Sequence, residues 1–461
     1  ASNLSMATGF ADLDRNGYLD FVLGNWSFSD AKNFLTHYSQ NRLFLNNELN
    51  FTSKTFPGEL NGETLSTLFS DINQDNQLDL IVANDVRKPD YYYRGAGKGV
   101  LKRIKPEEAV ISATSLNTMS VDTADFNNDL RLDLFTTDMS FSGESEVAYC
   151  DGIEDKQQQQ RCRLLLEGKE QIALGNIKWC INLEQPEERS DCMTAVVRDM
   201  AMAHKQPEEC QKILPEYPLQ RLFCRKVAKR EGSEENFPLF EHHPQVQSNK
   251  LMLGTADGHF KDATADMGVG ESFWSWNSKA ADLDNDGWQD IYIGNGYGFG
   301  SKEREIHSNI LFHNQQGRGF IQAQEPFGLR EYINTPSYTY VDFDLDGDLD
   351  IVTTGMLAEG KIFINNNPKV HNAISFELRD ERGNHFAIGA KVIITTATGQ
   401  QIRELKLSGG FLSFDNPYLH FGLGDGSAVG KIEVIWPDGE HTNLEGDFAA
   451  NHHYRIKRTK N

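Results

Sequence analysis

Short apolar runs recur along the chain, each bounded by polar and turn-forming residues. Phe21-Val22-Leu23, Leu80-Ile81-Val82, Ile291-Tyr292-Ile293 and Ile351-Val352 are β-rich and too short for helices, which predicts buried strands. A second set, Asn41-Arg-Leu-Phe-Leu-Asn46, Asn249-Lys-Leu-Met-Leu-Gly254 and Asn309-Ile-Leu-Phe-His-Asn314, precedes a turn and then an aromatic strand such as Gly258-His-Phe260 or Gly319-Phe320. Several short strands per unit, separated by turn signals, form the pattern of a four-stranded propeller blade. Past residue 371 the segments 374–378, 392–396, 402–407 and 432–436 alternate with Gly-rich turns, predicting a compact β-sandwich or barrel packed against the blades.

An acidic nonapeptide leads into the first kind of run, and it occurs five times. The copies supply Asp12, Asp14, Asn16 and Asp20; Asp71, Asn73, Asp75 and Asp79; Asp125, Asn127, Asp129 and Asp133; Asp282, Asp284, Asp286 and Asp290; Asp342, Asp344, Asp346 and Asp350. Oxygens at positions 1, 3, 5 and 9, with the position-7 carbonyl of Tyr18, Gln77, Arg131, Trp288 or Asp348, suit Ca²⁺, which takes six to eight oxygen ligands. Position 6 must turn sharply, so Gly17, Gly287 and Gly347 fit there and Asn76 is tolerated. Leu130 at that place, with Arg131 beside the ligands, makes the third copy the weakest of the five.

A helical EF-hand would need a Glu at position 12, where this chain has Leu23, Val82, Thr136, Ile293 or Thr353. Glycine-rich Ca²⁺ repeats of a β-helix recur every nine residues, whereas uninterrupted copies here lie 54 to 60 residues apart, the size of a blade.

The unit from Ala281 to Asn295, followed by Asn309-Ile-Leu-Phe-His-Asn314, resembles the FG-GAP/VCBS repeat of integrin-α-type propellers. Gly383-Asn-His-Phe-Ala-Ile-Gly-Ala-Lys-Val392, Ser408-Gly-Gly-Phe-Leu-Ser413, His420-Phe-Gly-Leu-Gly424 and Val434-Ile-Trp-Pro-Asp-Gly439 resemble the ASPIC/UnbV domain, which follows such repeats in the cartilage acidic protein family. The expectation is an all-β chain: an integrin-α-like β-propeller with five visible repeats, a C-terminal β domain, and a disulfide-rich α-helical insertion. The resemblance implies seven blades. Ala1 stands only eleven residues before the first ligand, so N-terminal blades are expected to be missing from this sequence. The expected division is 1–140 and 236–370 for the propeller, 141–235 for the insertion and 371–461 for the C-terminal domain.

The insertion stretches the third interval to 157 residues and carries all six cysteines, Cys150, Cys162, Cys180, Cys192, Cys210 and Cys224. Cys150, Cys180 and Cys210 are thirty residues apart, and stretches 163–173, 194–204 and 220–230 have helical apolar spacing. Three helical units, each stapled by one internal disulfide, are the natural reading, although six cysteines allow 15 connectivities. Zinc ribbons want closer pairs, and the Cys-x-x-Cys-His of c-type haem is absent. Disulfides imply an extracellular, secreted or cell-surface location. The chain shows neither a signal peptide nor a membrane span, as a mature secreted chain would.

The formal net charge is −22, but 18 acidic side chains belong to the loops, and five divalent ions would bring it to −12. The remaining acidity disfavours nucleic acid as a partner. His242-His243 and His452-His453 would point apart on a strand, and no His-Glu-x-x-His or Gly-x-Ser-x-Gly is present. Trp274 and Trp276 read as blade core rather than as a ligand platform. Asn3, Asn25 and Asn50 open sequons that a secreted protein could carry glycosylated. These features predict a calcium-stabilised structural, adhesion or assembly protein with protein or glycan partners, or a homo-oligomer or polymer. The alternative is an extracellular enzyme or carbohydrate-binding protein using the propeller channel or the domain interface.

Overall fold

The computed structural model describes residues 4–26, 40–56, 63–85, 89–139, 156, 243–296, 308–356, 358–366 and 371–460. The chain divides into two compact units, Ala1–Phe141 with Glu241–Asn461, and Ser142–Phe240. All six cysteines and the three predicted helical stretches of the insertion lie outside the described residues.

Five consecutive antiparallel sheets form the blades of the first unit. Blade 1 comprises Leu4–Ala11, Asp20–Trp26, Arg42–Asn47 and Asn50–Thr55; blade 2 comprises Thr64–Ser70, Asp79–Asn84, Tyr91–Gly95 and Leu101–Arg103. Blade 3 runs Thr118–Ala124, Asp133–Asp138, Lys250–Gly254 and Phe260–Asp262, so the insertion enters between its second and third strands. Blade 4 contains Ser275–Ala281, Asp290–Asn295, Ile310–Asn314 and Phe320–Gln322; among the described residues blade 5 has three strands, Ser337–Val341, Asp350–Thr354 and Lys361–Phe363. The leading strand of blade 1, Leu4–Ala11, runs directly into Asp12.

The unbroken apolar runs follow from burial on both faces. Leu80 and Val82 of blade 2 pack with Val22 and Leu43 of blade 1, while the intervening Ile81 and Ala83 pack with Val121 and Met252 of blade 3. Because side chains alternate along a strand, a blade between two neighbours needs apolar residues at every position. Position 2 of the loops is likewise covered in blades 1 to 4, where Leu13, Ile72, Phe126 and Leu283 are at most 7% exposed. Blade 5 departs from this, with Phe343 at position 2 56% exposed and Leu345 at position 4 85% exposed.

The C-terminal domain is a two-sheet β-sandwich. Leu419–Gly424, Asn372–Asp380 and His452–Arg458 form one sheet; Gln400–Glu404, Lys391–Thr395, Ala428–Ile435 and His441–Ala449 form the other. Phe376, Phe421, Val392, Ile394, Val434 and Trp436 fill the space between them.

Segment 405–416 of this domain crosses the leading strands of all five blades. Leu407 O accepts from Phe10 N in blade 1 (2.9 Å), Gly409 N donates to Thr67 O in blade 2 (2.7 Å), and Gly410 N donates to Val121 O in blade 3 (3.1 Å). Phe411 N then donates to Asn277 Oδ1 in blade 4 (2.9 Å), and Tyr340 N in blade 5 donates to Asp415 Oδ1 (2.9 Å). The Gly-Gly pair is required here. Both residues have positive φ, and a Cβ on Gly409 would meet Val121 O at 2.9 Å.

Candidate metal centres

Each acidic loop joins the first strand of its blade to the second, and all five share one hydrogen-bond pattern. The N–H of position 6 donates to Oδ2 of position 1, from Gly17 to Asp12 (3.0 Å), Asn76 to Asp71 (2.9 Å), Leu130 to Asp125 (2.9 Å), Gly287 to Asp282 (2.9 Å) and Gly347 to Asp342 (3.1 Å). Positions 4 and 6 both take positive φ, including Leu130 at 66°. Position 9 has a role that spacing alone did not reveal. Its Oδ1 accepts a backbone N–H from the end of the third strand, as Asp20 does from Asn46 (2.7 Å) and Asp290 from Asn314 (2.8 Å). Its Oδ2 accepts the N–H of position 2, so this aspartate fastens loop to blade whatever else it binds.

The loops differ in how their acids are arranged. Carboxylate oxygens of Asp12, Asp14 and Asp20, of Asp282, Asp284 and Asp286, and of Asp342, Asp344 and Asp350 come within 4.8 Å of one another. In the second loop Lys391 of the C-terminal domain pairs with Asp71; in the third Arg131 pairs with Asp129 at 2.6 Å. Among the remaining candidates Asn16 Nδ2 donates to Asn46 O, Asn73 to Asp75 and Asn127 to Asp129, while the backbone N–H groups of Tyr18, Gln77, Arg131, Trp288 and Asp348 close the turn onto position 5.

Crowding of buried carboxylates raises their pKa values. Burial pushes Asp12 and Asp20 to about 6, Asp125 and Asp286 to about 6, and Asp282 to about 8. In four loops Oδ1 of position 1 accepts the N–H of position 5, whereas Asp282 Oδ1 is buried without a hydrogen-bond partner. A buried carboxyl oxygen with no donor, set among other carboxylates, fits a hard cation that would hold the group ionised. His313 joins this loop, with Nε2 3.0 Å from Asp284 Oδ2 and within 4.8 Å of an oxygen of Asp290. Its hydrogen bond to Asp284 raises the pKa of His313; burial works against the Asp284 carboxylate, but His313 holds that pKa down. The sequence signal for this residue was its departure from Leu45 and Leu253 at the same motif position.

Successive loops are also tied together. Position 4 of one loop donates to the next, from Arg15 to Asn76 O, Gln74 to Leu130 O, Asn128 to Gly287 O (3.1 Å) and Asn285 to Asp348 Oδ1 (2.7 Å).

The other sequence candidates have structural surroundings. Trp276 donates from Nε1 to Gly296 O at 2.7 Å and stacks on Phe411 at 5.5 Å, with Trp274 beside it. His243 is buried against Tyr92, His242 lies outside the described residues, and His453 bonds Ser375 Oγ at 2.9 Å. Asn25 is buried and its Nδ2 donates to Gln40 O at 2.7 Å, so the folded chain cannot carry a glycan there. Asn50 is exposed, and Asn3 lies outside the described residues. A cavity of about 540 Å³ lies between blades 3 to 5 and the C-terminal domain, lined by Lys279, Asp415, Arg403 and His453 among others.

Residues 380–461 match the family described as ASPIC and UnbV, and residues 71–136 and 244–293 match the FG-GAP-like repeat. The chain is similar to cartilage acidic protein 1 of Mus musculus (31% identity over 169 residues) and of Homo sapiens (32% over 168). These matches cover 35% of this chain, and the chain spans about a quarter of the length of those relatives, 25% and 24%. Among the described residues, no helix is long and apolar enough to cross a membrane.

Proposed function

We propose that this chain is an extracellular, calcium-stabilised propeller scaffold that presents binding surfaces to protein or glycan partners. The observation that carries the reading is the convergence of carboxylates in the first, fourth and fifth loops, each with at least one buried member, and Asp282 Oδ1 lacking any donor. Ca²⁺ in those loops would neutralise the acids and hold each first strand against its second. The second and third loops, which place Lys391 and Arg131 on their ligands, would bind more weakly. Cation binding that depends on folded loops stabilises the fold. A structural role also agrees with segment 405–416 occupying the inner strands, where a propeller enzyme would otherwise seat its chemistry. Similarity to cartilage acidic protein 1 and an insertion with six cysteines support the extracellular location and structural disulfides.

Calorimetric titration of chelator-treated full chain with Ca²⁺, alongside thermal melts in Ca²⁺ and in excess EDTA, tests the proposal. Binding with a raised melting temperature is expected. No heat and identical melts would sink it.

The cavity beside Lys279 and Asp415 favours a second reading, in which a small polar ligand such as a sugar binds between propeller and C-terminal domain. A glycan array distinguishes the two, since a scaffold without this site gives no signal that Lys279→Met abolishes.

A further inference from the structure

At the ends of the blades away from the loops, a polar belt repeats from blade to blade. A residue at the end of the second strand donates its N–H to the side-chain oxygen of the residue just before the third: Asn25 to Asn41 (2.9 Å), Asn84 to Asp90 (2.8 Å), Asp138 to Asn249 (2.9 Å) and Asn295 to Asn309 (2.9 Å). Six of these eight residues are asparagines. The exceptions, Asp90 and Asp138, lie in adjacent blades.

The amides have a definite task. At the blade 1–2 junction Asn41 Nδ2 donates to Thr64 Oγ1 (2.9 Å), which donates onward to Asn84 Oδ1 (2.7 Å). Nδ2 of the strand-end residue donates to the carbonyl preceding that acceptor residue, from Asn25 to Gln40 O, Asn84 to Pro89 O (2.7 Å) and Asn295 to Ser308 O (2.9 Å).

At the blade 2–3 junction both donors are replaced by oxygen. Thr118, the cross-strand partner of Asp138, gives its hydroxyl proton to Asp90 Oδ2 at 2.8 Å, and Thr114 gives a second. Asp138 Oδ1 accepts from Asn117 N at 2.6 Å, but Asp138 Oδ2 is buried with no partner, in a residue 0% exposed. A buried carboxylate oxygen with no donor, in a residue on which the negative charge of Asp90 also acts, requires a cation or a proton.

We infer that Asp90 and Asp138 hold a further Ca²⁺-class cation at the blade 2–3 boundary, separate from the five loops. One divalent ion balances two carboxylates, and the Thr114 and Thr118 hydroxyls add the oxygen ligands that such a cation prefers. Negative charge from Asp85 and Glu271 on Asp138 works in the same direction. The rival is a shared proton, which would satisfy Asp138 without any ion.

Asp90→Asn and Asp138→Asn separate the two, because each restores the amide used at the same place in the other blades and so is compatible with folding. Full-length wild type, the two variants and Asp284→Asn in the fourth loop are equilibrated with Ca²⁺ alone, and bound metal per chain is measured by inductively coupled plasma mass spectrometry. The expected result is one ion fewer in each belt variant, together with a melt in EDTA above that of wild type. An unchanged ion count in Asp138→Asn overturns the inference in favour of the proton. Asp284→Asn reports on the loops independently, so either reading can fail alone.

Discussion

Lys391, at the start of a strand in the C-terminal sandwich, pairs with Oδ2 of Asp71, the first residue of the second acidic loop, and their side chains are 4% and 2% exposed. The lysine stands where a metal ion would neutralise the loop, so the C-terminal domain supplies the charge itself. Burial is the main cause that raises the Asp71 pKa, and Lys391 opposes it.

Removing this cation leaves a buried, uncompensated carboxylate. Lys391→Met is expected to cost about 3–5 kcal/mol, the usual penalty for breaking one side of a buried pair. Part of that loss should return with Ca²⁺, because the second loop then has an open ligand. Urea denaturation with and without Ca²⁺ checks both statements, and equal losses in the two conditions would count against competition between lysine and metal.

The third loop offers the complementary experiment. Arg131 reaches Asp129 at 2.6 Å and Gly254 O at 3.2 Å. Arg131→Gln copies Gln77 of the second loop, removes the charge and should tighten Ca²⁺ binding at this loop by roughly tenfold, the equivalent of about 1.4 kcal/mol. Isothermal titration of the variant against wild type reads the change.

Phe411 anchors the segment that crosses the blades. It is 3% exposed, stacks on Trp276 and packs with Leu65 and Met119. Phe411→Ala should destabilise the first unit by about 3–5 kcal/mol, as large-to-small core changes do. Chemical denaturation followed by tryptophan fluorescence measures it, and a loss below about 1 kcal/mol would mean that the segment rests on the blades without holding them.

His420 gives a pH signature. Its Nε2 lies 3.2 Å from Gly347 O, and burial depresses its pKa to about 4, with Arg403 adding to the effect. A histidine whose folded pKa lies below its unfolded value of about 6.5 favours folding when neutral. Stability from this group is therefore complete above the unfolded pKa and is lost as pH falls from about 6.5 towards 4. His420→Gln should lose less stability than wild type over that window, as followed by the urea midpoint at each pH.

The sequence by itself determined the strands and the loops. A nonapeptide that turns back on its first aspartate is a local object, and apolar runs that alternate between two neighbours reflect blades buried on both faces, so both leave a periodic trace. It also exposed the Ser408-Gly-Gly-Phe411 motif, though not its use. Contacts between remote residues were decided by tertiary structure alone. Lys391 is 320 positions from Asp71, and Ser408 is 339 from Phe69. No local spacing encodes which lysine neutralises a loop, which histidine joins the fourth one, or which two aspartates replace amides on either side of the same threonine. These outcomes depend on how the blades close around the C-terminal segment, because a carboxylate, a lysine or a glycine acquires its energetic meaning only from the groups that burial brings against it.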